Sequence, residues 1–98
     1  MSHIAYEQRA QVYTNAFIRF GEHNQYVVAI EELSECQKEV CKMLRGIGDM
    51  NHLAEEIADA TIMLEQLKMY LNLNESVRTI MDQKVKRLDQ KLRKEAFR

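Results

Sequence analysis

Two acid-rich segments of the sequence contain side chains that could bind a metal ion. The first, EELSE, places Glu32 and Glu35 three residues apart, and the second, EEIAD, places Glu56 and Asp59 at the same spacing. Residues three apart on an α-helix lie one turn above each other, so each pair of carboxylates would share one helix face. Like charges at this spacing repel each other by about 0.2–0.5 kcal/mol per pair. Either water solvates both faces, or a cation holds them together.

Two such pairs on facing helices would surround one point with four carboxylates. Carboxylate oxygens are the ligands that hard divalent cations such as Mg²⁺ and Mn²⁺ prefer. The three histidines are scattered, and no His–Cys cluster indicates zinc. A solvated acidic face stays open as the alternative, because a single ExxE pattern has little specificity. The recurrence of the pattern, each time opening with a double Glu and separated by a glycine-containing turn, favours the cation.

The composition predicts an all-α, single-domain protein. The chain has 98 residues, no proline and three glycines, so few residues would interrupt a helix. Hydrophobic periodicity predicts one helix from after Ser2 to Gly21 and three more over about 24–45, 52–71 and 75–95. Asp49 or Asn51 can cap the third helix, and Asn74 can cap the fourth. Because the connections are short, we expect neighbouring helices to pack roughly antiparallel, as in a four-helix bundle.

Apolar stripes run along three of the predicted helices. They comprise Ile30, Leu33, Val40 and Leu44 with Gln37 among them; Leu53, Ile57, Ala60, Leu64, Leu67 and Leu71; and Val77, Met81, Val85 (or Lys84), Leu88 and Leu92. Glu56 and Asp59 flank the second stripe, so they should lie at its border, whereas Glu55 should point further towards solvent. A chain of this size has a modest core, and oligomerisation is a natural way to enlarge it.

Charge and cysteine usage limit the compartment and the partners. The net charge is −1, and an acidic middle segment is followed by a basic C-terminal segment. We expect no membrane span and no signal peptide, because no apolar run is long enough and the N-terminus lacks the basic-then-apolar layout. Cys36 and Cys41 point to different sides of one helix, so reduced thiols and a cytoplasmic location are expected. The near-neutral charge argues against nucleic-acid binding.

The two acidic segments together resemble a known family signature. EELSE is followed, after the twenty residues 36–55, by the ExxD sequence of Glu56 and Asp59. This arrangement resembles the EExxE–ExxD signature of the MazG-like all-α nucleoside triphosphate pyrophosphohydrolases. The segments VVAIEELSECQKEV and NHLAEEIADATIMLEQL are similar to the two metal-binding helices of that family. The resemblance covers about residues 24–71 well and the flanks only loosely.

The resemblance implies a helical, homodimeric or homotetrameric enzyme. Such an enzyme cleaves a nucleoside triphosphate between the α- and β-phosphates with Mg²⁺ or Mn²⁺, giving the monophosphate and pyrophosphate. By position the metal ligands would be Glu32, Glu35, Glu56 and Asp59, and the leading acids Glu31 and Glu55 would support them. We assign Glu35 as the base that takes a proton from the attacking water, which is a hypothesis at this point. The chain is short and has no tryptophan to stack on a base, so the sequence does not indicate which nucleotide is hydrolysed.

The basic last helix offers side chains that could contact phosphate. Lys84 and Arg87 lie one turn apart on one face, and KVKRLDQKLR resembles the last helix of smaller family members. Arginine binds phosphate in a bidentate manner, and lysine acts as a point charge. The alternative is that a charged terminal helix merely keeps the protein soluble. For the whole chain, the alternative to an enzyme is a non-catalytic, dimeric helical interaction protein whose acids are only solubilising.

Overall fold

The chain folds into four helices joined by short connections. The structure is a computed structural model that describes residues 5–96, with α1 (Tyr6–Phe20), α2 (Glu22–Leu44), α3 (Met50–Tyr70) and α4 (Asn74–Ala96) and no strand in this range. The all-α prediction is confirmed, and the bounds of α2, α3 and α4 fall within two residues of those predicted. The predicted N-cap Ser2 lies outside the described residues. None of these helices is long and apolar enough to cross a membrane.

Two of the predicted helix ends are confirmed, and one is shifted. Gly21 follows α1 with a φ of 85°, a conformation that glycine adopts readily. Asp49 caps α3, because its Oδ1 accepts the backbone N–H groups of Asn51 at 2.8 Å and His52 at 3.3 Å. Asn74, predicted as the cap of α4, is instead its first helical residue.

Helices α2 and α3 form an antiparallel hairpin that is the centre of the fold. They make the most extensive contact between any two helices of the described range, and the connection between them is short. Ala29 of α2 and Ala60 of α3 are buried, and these small side chains let the two helices approach closely. Gln25, Glu39 and Met63 are buried as well. The hairpin interior is therefore built largely from small and polar residues.

The apolar stripe of α2 does not line this interior. Ile30, Leu33, Val40 and Leu44 are between 41% and 88% exposed, and Ile57 and Leu64 of the α3 stripe are also about half exposed, at 48% and 45%. The buried positions of α2 lie roughly 100° around the helix axis from its apolar stripe, because each residue turns the helix by about 100°. The expectation that the strongest apolar stripes face the interior is therefore wrong for α2 and only partly right for α3. Cys41 is exposed too, while Cys36 is half-buried, and both are free thiols.

Helix α1 packs across the hairpin through aromatic and polar contacts. The rings of Phe17 and Tyr70 lie 4.4 Å apart between centroids at an angle of 49°. The Tyr70 hydroxyl donates to the backbone carbonyl of Tyr13, and the Tyr13 hydroxyl donates to Glu65. Arg9 forms an ion pair with Glu65 at 3.2 Å. These contacts fix α1 against α3, and α1 also contacts α2.

Helix α4 does not complete a bundle within one chain. Among the described helices it contacts only α3, and its half-buried residue is Val77 near its start. The radius of gyration is 16.9 Å, against about 13 Å for a compact domain of 100 residues. The predicted four-helix bundle is thus realised within the chain as three packed helices, and α4 extends away from them.

Candidate metal centre

Three of the four predicted metal ligands come together on the hairpin. Glu32 of α2 and Glu56 and Asp59 of α3 each offer a carboxylate oxygen, and these oxygens all lie within 4.8 Å of one another. Glu32 and Glu56 are half-buried, whereas Asp59 is exposed. The group is here called the acidic trio. It brings carboxylates from two helices to one point, as the spacing of the two segments predicts.

The electrostatic environment of the trio is uniformly negative. Partial burial, followed by repulsion from Asp59 and Glu56, raises the pKa of Glu32 above its ordinary value of 4.5. The pKa of Glu56 is raised in the same way, by partial burial and then by Asp59, Glu35 and Glu39. The charges acting on these two carboxyls are all acids. A divalent cation would turn this repulsion into attraction.

Glu35, the fourth predicted ligand, lies next to the trio but is not part of it. It is exposed on α2, one turn after Glu32. Its charge nevertheless contributes to the raised pKa of both Glu32 and Glu56. Its roles as ligand and as catalytic base remain predictions.

Glu39 is a residue of this site that was not among the predicted ligands. It is buried, at 7% exposure, and it accepts a hydrogen bond from Nζ of Lys42 at 3.2 Å. Its charge helps to raise the pKa of Glu56. The signal was present in the sequence, because Glu39 follows Glu32 by seven residues and therefore lies on nearly the same face of α2. Glu39 therefore places a negative charge beside Glu56, and the ion pair with Lys42 offsets part of that charge.

The predicted phosphate-binding residues are not brought to the trio within one chain. Lys84 and Arg87 are exposed on α4, which contacts α3 but not α2. Neither residue forms one of the ion pairs found in the described range, whereas Lys86 pairs with Asp82 at 3.0 Å and Arg93 with Asp89 at 3.1 Å. Their role in substrate binding remains a prediction.

A second polar group ties α1 to α3 at a different place. A cavity of about 130 Å³ is lined by residues that include Arg9, Tyr13, Glu65 and Lys68, and no member of the acidic trio lines it. Burial and the hydrogen bond to Glu65 raise the pKa of Tyr13 to about 12. Because Arg9 already neutralises Glu65, we interpret this group as a structural contact between the two helices.

No protein-family model, no curated protein and no solved structure matches the chain. The resemblance to MazG-like pyrophosphohydrolases therefore depends on the motif residues alone. Any function has to be argued from the geometry and charge of the site.

Proposed function

We propose that the chain is a nucleoside triphosphate pyrophosphohydrolase that depends on Mg²⁺ or Mn²⁺ and acts as a homodimer or homotetramer. The observation that carries the proposal is the acidic trio, in which three carboxylates from two helices converge within 4.8 Å and the nearby charges are negative. An all-oxygen donor set of this kind fits a hard divalent cation. The MazG-like motif supplies the reaction class.

A triphosphate carries about four negative charges, and the trio by itself would repel it. A bound divalent cation supplies charge neutralisation of the phosphate oxygens and lowers the pKa of a coordinated water. The chain's own contribution is to hold that charge at one fixed point with Glu32, Glu56 and Asp59.

The remaining predicted ligand, Glu35, is the proton acceptor in this proposal. Glu35 lies outside the trio and is exposed to solvent, so a water between it and the substrate is sterically possible. In the proposed reaction this water forms a bond to phosphorus, the bond between the α- and β-phosphates breaks, and Glu35 takes the proton. The products are a nucleoside monophosphate and pyrophosphate.

Phosphate contacts from Lys84 and Arg87 require more than one chain in this proposal. Within one chain α4 does not contact α2, where Glu32 lies. An oligomer in which α4 approaches the hairpin of a second copy would supply the two basic side chains.

The proposal is tested with a panel of ribonucleoside and deoxyribonucleoside triphosphates, including oxidised and other damaged bases, assayed for pyrophosphate release. We expect release from at least one nucleotide with Mg²⁺ or Mn²⁺ and none with a chelator. Glu56→Gln should abolish this activity, and the control Glu75→Gln, which neutralises an exposed acid at the start of α4 outside both acidic segments, should retain it. If every nucleotide stays intact and the protein binds no divalent cation, the proposal is wrong.

The second candidate function is a non-catalytic helical interaction protein. The exposed apolar residues of α2 and α4 favour it, because they offer surfaces for partner helices. Thermal unfolding with and without Mg²⁺ separates the two candidates. A metal-binding site raises the unfolding midpoint through linkage, whereas the midpoint of an interaction protein with solubilising acids is indifferent to Mg²⁺.

A further inference from the structure

One side of the α2–α3 hairpin carries a row of exposed apolar side chains. It is formed by Tyr26, Ile30, Leu33, Val40 and Leu44 of α2 and by Ile57 and Leu64 of α3, here called the outer face. On α2 these residues, with Gln37, follow spacings of four and three, which is the heptad pattern of helices that pack against other helices. Each of the seven apolar side chains is at least 36% exposed.

No described helix of the chain covers the outer face. The cavities between α1 and the hairpin are lined by Asn24 and Val28 of α2 and by Ala58 and Ile62 of α3. Helical geometry places these four residues on the side of each helix roughly opposite to its outer-face residues. Helix α4 does not contact α2 at all. The outer face therefore lies opposite α1 and is open.

Helix α4 has an apolar stripe that is equally uncovered. Met81, Val85, Leu88 and Leu92 are between 55% and 62% exposed. In water a helix without tertiary contacts is only marginally stable, because most helix stability in proteins comes from packing of the apolar side. A 23-residue α4 thus requires a surface to pack on.

The surface area of the chain indicates the size of the missing contact. The accessible surface is 8411 Å², whereas a compact monomer of 11.6 kDa exposes about 5,800 Å² by the usual scaling with mass. The excess is about 2,600 Å² per chain, or about 5,200 Å² for two copies, which is at the upper end of the roughly 2,000–5,000 Å² in total that obligate homodimers bury. A second copy of the chain offers both uncovered surfaces at once.

The net charges of the helices favour one way of pairing two copies. Helix α4 carries seven basic and four acidic residues, whereas α2 carries five acidic and two basic residues. Pairing α4 with α4 of another copy would bring two basic helices together. Pairing α4 with α2 brings opposite net charges together, which favours that arrangement.

We propose that α4 of one chain packs along the outer face of the α2–α3 hairpin of a second copy, and that the contact is reciprocal. The apolar stripe of α4, centred on Val85 and Leu88, covers Ile30, Leu33 and Val40 of the partner. Such an exchange is isologous and closes on itself, so it ends at a dimer. The proposal specifies an interface and does not depend on nucleotide hydrolysis or on a bound metal.

The first test measures mass in solution for the full chain and three variants. Wild-type protein should sediment as a dimer. Leu33→Glu on α2 and Leu88→Glu on α4 should each raise the dimer dissociation constant by about 100-fold or more, because each buries an unpaired carboxylate twice per dimer. The matched control Gln90→Glu adds the same charge on the opposite side of α4 and should leave the dimer intact. A monomeric wild type, or a dimer that Leu33→Glu leaves unchanged, overturns the proposal.

The second test needs no variant and holds even where a glutamate substitution prevents folding. Amide hydrogen exchange of the wild-type protein is followed as the protein is diluted. The amides of α4 and those around Leu33 should lose protection together as the dimer dissociates. If α4 is unprotected at every concentration, or loses protection while the Leu33 segment does not respond, α4 does not pack on α2 of a second copy.

Discussion

The residues of the acidic trio explain why two separate acidic segments occur in one small chain. Glu32 and Glu56 come from different helices, yet Glu56 raises the pKa of Glu32, and Asp59 raises the pKa of both. Repulsion of this kind destabilises the metal-free fold, and a bound divalent cation would relieve it. A cation site of this kind is sensitive to pH and to neutralisation of one of its carboxylates.

Neutralising one carboxyl of the trio should stabilise the metal-free protein. The folded-state pKa of Glu56 is raised above 4.5, so the protonated form is favoured on folding and stability is lost as the pH rises through that pKa. In the presence of a chelator, Glu56→Gln should increase the free energy of unfolding at neutral pH, because it removes the repulsion between Glu56 and the neighbouring acids. Urea unfolding of the wild type and of Glu56→Gln, at neutral pH and near pH 4.5, measures this difference in the free energy of unfolding.

The control for this variant is Glu75→Gln, which removes an exposed charge on α4 that is not among the charges raising the pKa of Glu56. We expect the gain from Glu56→Gln to shrink as the pH falls towards 4.5, because the wild-type carboxyl then becomes protonated. A loss of stability at neutral pH without metal would contradict the electrostatic description of the trio.

Tyr13 should contribute to stability through its hydroxyl. Tyr13→Phe removes the hydrogen bond to Glu65 and should lower the free energy of unfolding by about 1 kcal/mol. The wild-type pKa of about 12 lies above the ordinary value of 10.0, so this stability is present below pH 10 and is lost as the pH rises towards 12.

Alkaline unfolding of the wild type and of Tyr13→Phe tests the same contact. The stability difference between the two proteins should narrow as the pH rises from about 10 to about 12. Equal stability of the two proteins at neutral pH would show that the hydroxyl does not hold α1 to α3.

At the scale of the elements, the helix bounds could be predicted because local chemistry sets them. Gly21 supplies a positive φ between α1 and α2, and Asp49 supplies the oxygen that caps α3. Asn74 shows the limit of this reasoning. Its side chain is suited to a cap, but α4 begins one residue earlier than the cap would allow.

Removing the cap of α3 should weaken the helix that carries two of the three trio residues. Asp49→Ala should lower the free energy of unfolding by about 1 kcal/mol, because the N–H groups of Asn51 and His52 lose their acceptor. Hydrogen bonds from these two groups lower the pKa of Asp49 below 3.8. The contribution is therefore present above pH 3.8 and is lost as the pH falls through the lowered pKa.

The exposed neighbour Asn51 provides the control for the cap. Asn51→Ala keeps the carboxylate of Asp49 and should change the unfolding midpoint little. If Asp49→Ala and Asn51→Ala have the same effect in chemical unfolding, the cap does not stabilise α3.

The choice of packing faces could not be predicted from the sequence. The apolar heptads of α2 and α4 would fit a bundle interior, yet the hairpin packs through Ala29 and Ala60. Small residues let two helices approach closely, and a pattern that ranks side chains by hydrophobicity does not predict such a contact.

The arrangement of the site could be predicted only in part, for a similar reason. Spacing predicts Glu32, Glu56 and Asp59 correctly as neighbours, but it cannot place Lys84 and Arg87, because their helix α4 lies away from α2.

At the scale of the whole molecule, the open outer face makes stability depend on protein concentration. If folding is coupled to dimer formation, the thermal unfolding midpoint should rise with the concentration of the wild-type chain. Leu88→Glu should lower the midpoint and weaken this dependence, whereas Gln90→Glu should not. A wild-type midpoint that is independent of concentration over a wide range would indicate a stable monomer.

The proposed function depends most directly on whether the acidic trio binds a divalent cation. The measurement is a titration of Mn²⁺ into the purified chain, with the free ion followed by electron paramagnetic resonance. Wild-type protein and the control Glu75→Gln should remove a saturable amount of Mn²⁺ from solution, Mg²⁺ should compete for it, and Glu56→Gln should bind far less. If the wild type leaves the Mn²⁺ signal unchanged, or if Glu56→Gln binds as tightly as the wild type, the trio is not a metal site.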